Sequence, residues 1–394
     1  MLKGKTVLLG ISSSIAAYKM CNVARMLTKL GAEVHVSMTA NATNFVHPLT
    51  FETLTQNKCL IDTFDRNFQY SVEHVAIAKE ADVVLIAPAT ANIIGKIANG
   101  IADDMLTTTV MACTCKKIIA PAMNHNMYHN PIVQENIEKL RRFGYEIIDP
   151  VRGMLANRDT GDGKLPDEET LVEYIVREIA FEKDLQGKKI LVTAGATRER
   201  IDPVRFISNR STGKMGYAIA RAAMLRGADV TVISAHTDVN PPMFVKIIKA
   251  ESADDMFNAV KENMDSADII IKAAAVADYT PITVAESKIK KSDGDMNIAL
   301  KRTTDILKYI GENKTNQVIC GFSMETDNVI ENSRRKLESK NCDMICANSL
   351  KKDGAGFGTD TNIITMITKN GIEEIELMSK FNAANIILSK LKNF

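Results

Sequence analysis

GKKILVTAGATRERIDPVRFISNRSTGKMG, residues 187–216, opens the second half of the chain much as GKTVLLGISSSIAAYK, residues 4–19, opens the first. In both, a Gly-Lys lead runs into a short apolar stretch of β type and then into a turn of small residues. The likeness continues downstream. A helical pattern ends at Gly31 in one half and at Gly227 in the other, and a strand pattern Ala-acid-Val-x-Val follows each, at 32–36 and 228–232. Each half later has an apolar strand led by Ala-Asp, ADVVLIAPAT at 81–90 and ADIIIKAAAVAD at 267–278. Apolar strands alternating with helical patterns spell βαβ units around a buried parallel sheet. The sequence therefore predicts an α/β chain of two tandem doubly wound, Rossmann-like three-layer domains, 1–186 and 187–394, each with its own site.

A chain of 394 residues is long enough for two such cores. Acidic and basic residues balance to a net charge of +1, which leaves no electrostatic footprint for nucleic acid. No apolar run reaches the roughly 18 residues of a membrane span, and the N-terminus enters a strand with no signal-peptide pattern. Seven cysteines without a CxxC pair suit a reducing, cytoplasmic setting.

In the first half, Ser12 and Ser14 follow strand 6–10 and precede a helix predicted over 15–30. A strand-to-helix turn of small hydroxyl residues presents free N–H groups and the positive end of the helix dipole, which suits a phosphate; the bland alternative is an ordinary Ser N-cap. Thr39 and the turn APATAN, 87–92, fall at carboxyl ends of predicted strands, where open α/β sheets bind ligands. There Pro88, Thr90 and Asn92 can lie against a flat polar ring. In IIAPAMNHNMYHNP, 118–131, Asn124 can bind a carboxylate through its amide. His125 and His129 have the i, i+4 spacing of a helical metal pair, but no third ligand is evident from the sequence. Cys113 and Cys115 read as structural thiols near a helix end. Residues 152–166, rich in Gly, Asp and Asn, read as a mobile loop of lid length, and helix 167–184 leads to the linker.

In the second half, Ser211, Thr212 and Gly213 precede a helix predicted over 214–226 whose N-terminus can hold phosphate or acyl-phosphate oxygens. The spacing is not that of a Walker motif. Asp278 falls at a carboxyl-end loop, and Lys288, Lys290 and Lys291 follow it closely enough to clamp a triphosphate; a solvated charged face is the alternative. GFSMET, 321–326, reads as a turn, and helix 328–340 presents Lys336 and Lys340 on one face.

SIAAYK, APATANIIGKIANGIADD and APAMNHNMYHNP resemble the flavin-dependent cysteine decarboxylases, with a flavodoxin-like flavoprotein fold. TAGATRERIDPVRFISNRSTGKMG, AAVADY, KIKK, GFSMET and ICANS resemble phosphopantothenate–cysteine ligases. Together they resemble the bifunctional phosphopantothenoylcysteine decarboxylase / phosphopantothenate–cysteine ligase family of coenzyme A biosynthesis. The resemblance implies FMN held by the turn at Ser12, Ser14 and Ile15, by Thr39, by Pro88, Thr90 and Asn92, and near Met127. It implies His74 as catalytic base and Asn124 as binder of the substrate carboxylate. The substrate thiol is first oxidised toward a thioaldehyde, which then accepts the electrons released with carbon dioxide.

For the ligase half the resemblance implies activation of 4′-phosphopantothenate by CTP with Mg2+, then attack by the amine of cysteine. Asn209 would bind the acyl-cytidylate. Ala273, Ala274, Asp278, Lys288, Phe322, Lys336, Lys340 and the stretch Thr304, Asp305, Ile306 and Leu307 would bind CTP, with Lys288 active in the second step. It also implies a homo-oligomer. The chain departs from the family at the lid, where ANRDTGDGKL sets Asn157 in place of a cysteine and Arg158 in place of a glycine. An amide has no proton of useful acidity, so an alternative follows: a first half that stops at the enethiol or serves only as a binding domain. A smaller departure is Ser13, where glycine is common; it matters if that position needs φ > 0.

Overall fold

The computed structural model describes residues 1–64, 73–154, 159–290, 296–325, 328–349, 356 and 358–394. Its contacts divide the chain into two units, Met1–Phe181 and Glu182–Phe394. The division falls before the 186/187 boundary read from sequence because the connecting segment is bonded to the second unit. The Lys183 Nζ donates to Leu225 O at 2.8 Å, and the Leu185 N–H donates to Arg226 O at 3.0 Å.

In the first unit, β1 (Thr6–Ile11), β2 (Glu33–Met38), β3 (Cys59–Leu60), β4 (Val83–Ala89), β5 (Lys116–Pro121) and β6 (Glu146–Ile147) form a parallel sheet in the order β3-β2-β1-β4-β5-β6. This is the doubly wound Rossmann order; the flavodoxin type shares the open parallel sheet but runs 2-1-3-4-5. The helices are α1 (Lys19–Lys29), α2 (Pro48–Thr55), α3 (Glu73–Glu80), α4 (Ala91–Ala98), α5 (Met105–Ala112), α6 (His125–Tyr128), α7 (Pro131–Arg142) and α8 (Glu168–Ile179). Leu8, Val84, Ile86 and Ile119 pack with Ile93, Leu106 and Leu140 in one core layer. Alternate residues of the same strands, such as Leu9, Leu85 and Ile118, are fully buried too. Successive strand side chains point to opposite faces, so both faces are covered, and β4 is buried along its whole length.

Three predicted elements differ in form. The helix expected from residue 15 begins as a 3-10 turn, Ile15–Tyr18, capped by Ser14, before α1 starts. The helix expected to residue 184 ends at Ile179. The stretch expected as a mobile loop contains an antiparallel pair, β7 (Val151–Met154) and β8 (Thr160–Lys164). The pair is seated on the loop after β5: the Met123 N–H donates to Gly163 O at 3.0 Å. Gly163 sits at φ +127°, and a Cβ there would lie 2.2 Å from Met123 O. Only glycine permits that approach. Ser13 is not in the left-handed region, so its departure from glycine carries no backbone penalty.

The second unit contains β9 (Lys189–Ala194), β10 (Arg198–Arg200), β11 (Phe206–Ser208), β12 (Asp229–Ser234), β13 (Lys246–Lys249), β14 (Ile269–Lys272), β15 (Tyr279–Pro281), β16 (Leu300–Arg302), β17 (Val318–Glu325), β18 (Met344–Ser349), β19 (Thr361–Thr368) and β20 (Gly371–Ser379). Its main sheet runs β13-β12-β9-β14-β17-β18-β19-β20. The first six are parallel, and the last two add on antiparallel. Counted along the chain, the parallel part repeats the 3-2-1-4-5-6 order of the first unit. The helices are α9 (Lys214–Leu225), α10 (Ala253–Asn263), α11 (Ile306–Asn313), α12 (Val329–Ser339) and α13 (Lys380–Leu391). GFSMET is not a turn as far as it is described: β17 continues to Glu325 because β18 pairs with it as far as Ser349. No helix among the described residues is long and apolar enough to cross a membrane.

Candidate active sites

In the first unit the turns after β1, β2, β4 and β5 meet at the carboxyl edge of the sheet. Ser12 is buried. Its Oγ donates to Pro88 O at 2.7 Å and accepts from the Thr90 N–H at 3.0 Å. That locks the first turn to the APATAN turn, in which the Ala87–Pro88 bond is cis. Ser14 accepts from the Ala16 N–H, and Thr90 caps α4, with Asn92 exposed in its first turn. The Thr39 N–H donates to Ile11 O at 3.0 Å, while its buried Oγ1 has no partner. An orphaned buried hydroxyl at a strand's carboxyl end is costly unless a ligand completes it.

Beside these turns lies a cavity of about 490 Å3, lined by Ser14, Ile15, Lys19, Asn124, Met154 and Leu165 among others. Sequence reasoning missed Lys19, whose Nζ donates to Leu165 O at 3.4 Å and Pro166 O at 3.2 Å and so ties the wall after β8 to α1. The cavity gathers Ser14, Ile15 and Asn124. Thr39, Pro88, Thr90, Asn92, His74 and the exposed Met127 do not line it. His74 is half-buried in the first turn of α3. Asn157 and Arg158 lie outside the described residues.

The third group that the sequence did not reveal beside the histidine pair is Asp162, on β8. His129 Nε2 and Asp162 Oδ2 are 3.0 Å apart, and the Asp162 N–H donates to His125 Nδ1 at 3.2 Å. The Nδ1 lone pair is thereby used, so the trio is a hydrogen-bonded clasp between α6 and the β7–β8 pair. Cys113 is buried at the end of α5. A hydrogen bond from Cys113 draws the Cys115 thiol down to about 7 against the opposing effect of burial, with Lys117 adding to the pull.

In the second unit a cavity of about 550 Å3 opens at the carboxyl end of β14. Asp278, Thr304, Asp305, Ile306, Leu307, Lys336 and Lys340 line it, as does Lys272. Burial, and then the positive charge of Lys336, push the Lys272 ammonium down to about 8. Burial would raise the Asp305 carboxyl, but the bond from Lys340 Nζ at 2.5 Å and the Lys308 N–H outweigh it and hold it low. The result is a lysine-rich pocket at the start of α11.

Ala273, Ala274 and Phe322 instead line a second cavity, of about 160 Å3, together with Ser211 to Met215 at the N-terminus of α9. Lys380 lines it too; burial, and then the charge of Lys214, lower its ammonium. Gly195, at φ +87°, brings the turn after β9 against the chain, where a Cβ would lie 2.4 Å from His236 O. Asn209 Nδ2 donates to Ala275 O at 3.2 Å. Lys288 and Lys290 are exposed and line neither cavity, and Lys291 lies outside the described residues.

Comparison with known proteins accounts for both units. Residues 1–180 match the family described as Flavoprotein, and residues 185–394 match the DNA/pantothenate metabolism flavoprotein C-terminal domain. The chain is 47% identical over 395 residues to the coenzyme A biosynthesis bifunctional protein CoaBC of Bacillus subtilis (strain 168), covering 99% of this chain and 97% of that protein. It is 43% identical over 394 residues to the CoaBC of Borreliella burgdorferi, covering 99% and 100%. A crystal structure of the C-terminal domain of a CoaBC protein is similar at 46% identity and a TM-score of 0.47, covering 54% of this chain and 97% of that one. With both units matched and nearly the whole length shared, the chain belongs to the family of bifunctional coenzyme A biosynthesis proteins, in which a flavoprotein decarboxylase half precedes a ligase half.

Proposed function

We propose that the ligase half joins 4′-phosphopantothenate to cysteine with CTP as the activating nucleotide, and that the flavoprotein half uses FMN to convert the phosphopantothenoylcysteine to 4′-phosphopantetheine. The observation that carries this reading is the cavity at the end of β14, walled by Lys272, Lys336 and Lys340. A carboxylate oxygen attacks the α-phosphorus of CTP and the bond to pyrophosphate breaks. The amine nitrogen then attacks the acyl carbon, the bond to CMP breaks, and the ammonium proton is lost. The lysines neutralise the phosphate charge, and Mg2+ bound with CTP would share that task. The backbone from Thr304 to Leu307, with Asp278, faces the nucleotide. The N-terminus of α9, with Ala273, Ala274 and Phe322, takes the acyl-phosphate end, Asn209 holds the acyl-cytidylate, and Lys288 serves the second step.

The unpartnered Thr39 hydroxyl and the Ser12–Pro88–Thr90 lock fit a flavin. Ser14 and Ile15 would hold its phosphate side, and Asn92 and Met127 its rim. Bound FMN supplies electron acceptance and return. The chain's own part is to orient and to move protons: Asn124 binds the substrate carboxylate, and His74 takes the thiol proton, a task that suits an imidazole near neutral pH. A homo-oligomer belongs to this reading as well, on the strength of the family resemblance alone. The alternative, release of the enethiol, is motivated by Asn157 in the lid position of the family cysteine.

Given CTP, Mg2+ and 4′-phosphopantothenate without cysteine, the protein should release pyrophosphate; none released would overturn the ligase reading. His74→Asn should abolish carbon dioxide release from phosphopantothenoylcysteine, and unchanged release would remove His74 from the mechanism.

A further inference from the structure

The hairpin of β10 and β11 contains a buried carboxylate that the mechanism above does not use. Asp202 is 2% exposed. Its Oδ1 accepts from the N–H groups of Val204 and Arg205, each at 2.8 Å. Its Oδ2 accepts from Arg205 Nε at 3.0 Å, from Arg205 Nη2 at 2.6 Å and from the Ile289 N–H at 3.2 Å. The same Arg205 Nη2 donates to Ile289 O at 3.1 Å. One ion pair thus grips both backbone groups of a single distant residue. Nearby, the Ala285 N–H donates to Ile201 O at 3.0 Å, which ties the same segment to the same hairpin.

The gripped residue stands between two exposed lysines, Lys288 and Lys290. The Asp202 carboxylate is buried, but the Arg205 side chain is 40% exposed, and an ion pair with one partner open to water adds little stability. Five hydrogen bonds to one carboxylate, one of them to a residue 87 positions along the chain, make sense as a positioning device. A lysine on a four-carbon stem reaches a defined point only if its backbone is fixed, and an error of about 1 Å in a reacting group can lower a rate by about 100-fold.

We propose that Asp202 is a positioning residue for Lys288: with Arg205 it clamps the backbone of Ile289 and so sets where the Lys288 amine acts during amide formation. This rests on the ligase reading and adds to it the part that fixes the lysine.

The test is a double-mutant cycle of Asp202→Asn and Lys288→Gln, with two readouts on the full chain: pyrophosphate release from CTP, and amide formation followed by mass. Asp202→Asn should slow amide formation about 10- to 100-fold, with acyl-cytidylate accumulating, while pyrophosphate is still released. In the double variant the losses should not multiply: it should match Lys288→Gln within about twofold. Multiplying losses, or equal losses in both steps, would overturn the proposal. Pyrophosphate release also reports that the variant is folded. If Asp202→Asn does not fold, Ile289→Pro decides the matter, because it deletes the clamped N–H and leaves the Asp202–Arg205 pair in place. It should show the same stall, and normal amide formation would refute the clamp. A wild-type protein that releases no pyrophosphate refutes the ligase reading itself.

Discussion

Lys272 brings a positive charge to the end of a buried strand, and its lowered pKa of about 8 follows from that place. A bound triphosphate favours the charged form. Nucleotide affinity should therefore hold below pH 8 and fall as pH rises through it, by about tenfold where a charge-assisted contact of about 1.4 kcal/mol is lost. Titrating nucleotide binding from pH 7 to 9.5 checks this. Lys272→Met should bind weakly and lose the pH dependence, and an unchanged pH profile in that variant would exclude Lys272. At this scale the sequence was partly legible. Lys336 and Lys340 could be placed by helical spacing, and they line one pocket with Asp278 and the 304–307 stretch. Lys272 was missed although IIIKAAA carries a signal, a lone charge inside an apolar strand just before its carboxyl end. Ala273, Ala274 and Phe322 line a second cavity instead, with Ser211 to Met215 at the N-terminus of α9; the place of Ala273 and Ala274 beyond the end of β14 carries no pattern that spacing could read.

Among the elements, the β7–β8 pair was the least legible. GDG reads as loop, but β8 pairs with β7 and is held against residues far away in sequence: the Met123 N–H donates to Gly163 O, and Asp162 meets the His125 and His129 rings. Gly163→Ala places a Cβ 2.2 Å from Met123 O at a φ of +127°, which should cost about 1–3 kcal/mol. The expected result is a lower melting temperature and weaker flavin retention, with pyrophosphate release by the ligase half unaffected. Unchanged flavin retention would show that the hairpin does not shape the cavity. By contrast, the central strands of both sheets could be read directly, because strands buried on both faces are written as unbroken apolar runs.

At the scale of the whole molecule, the repeated Gly-Lys opening corresponds to one strand order used twice. What the sequence could not fix was the boundary, which depends on a charge cluster formed across the second unit. Asp184 pairs with Arg226 at 2.6 Å and with Lys392 at 3.0 Å. The Arg226 bond is the main cause that lowers the Asp184 carboxyl to about 2, against the effect of burial and with help from Lys392. The folded value lies below the unfolded one, near 3.9, so the stabilisation is complete above pH 4 and is lost as pH falls through about 2. Asp184→Asn should destabilise the second unit by about 1–2 kcal/mol at pH 7, and acid-unfolding curves of the variant and the wild type should converge near pH 2. A difference that persists undiminished at pH 2 would assign the effect to something other than this charge.

In the proposed function the two halves act in succession on one substrate. The most direct test is a mass spectrum of the product formed by the full chain from 4′-phosphopantothenate, cysteine, CTP, Mg2+ and FMN. The expected product is 4′-phosphopantetheine. A product two hydrogens lighter would mean that the flavoprotein half stops at the enethiol, with Asn157 as the first residue to replace by cysteine. Accumulation of phosphopantothenoylcysteine alone would show that the flavoprotein half does not decarboxylate the product of the ligase half.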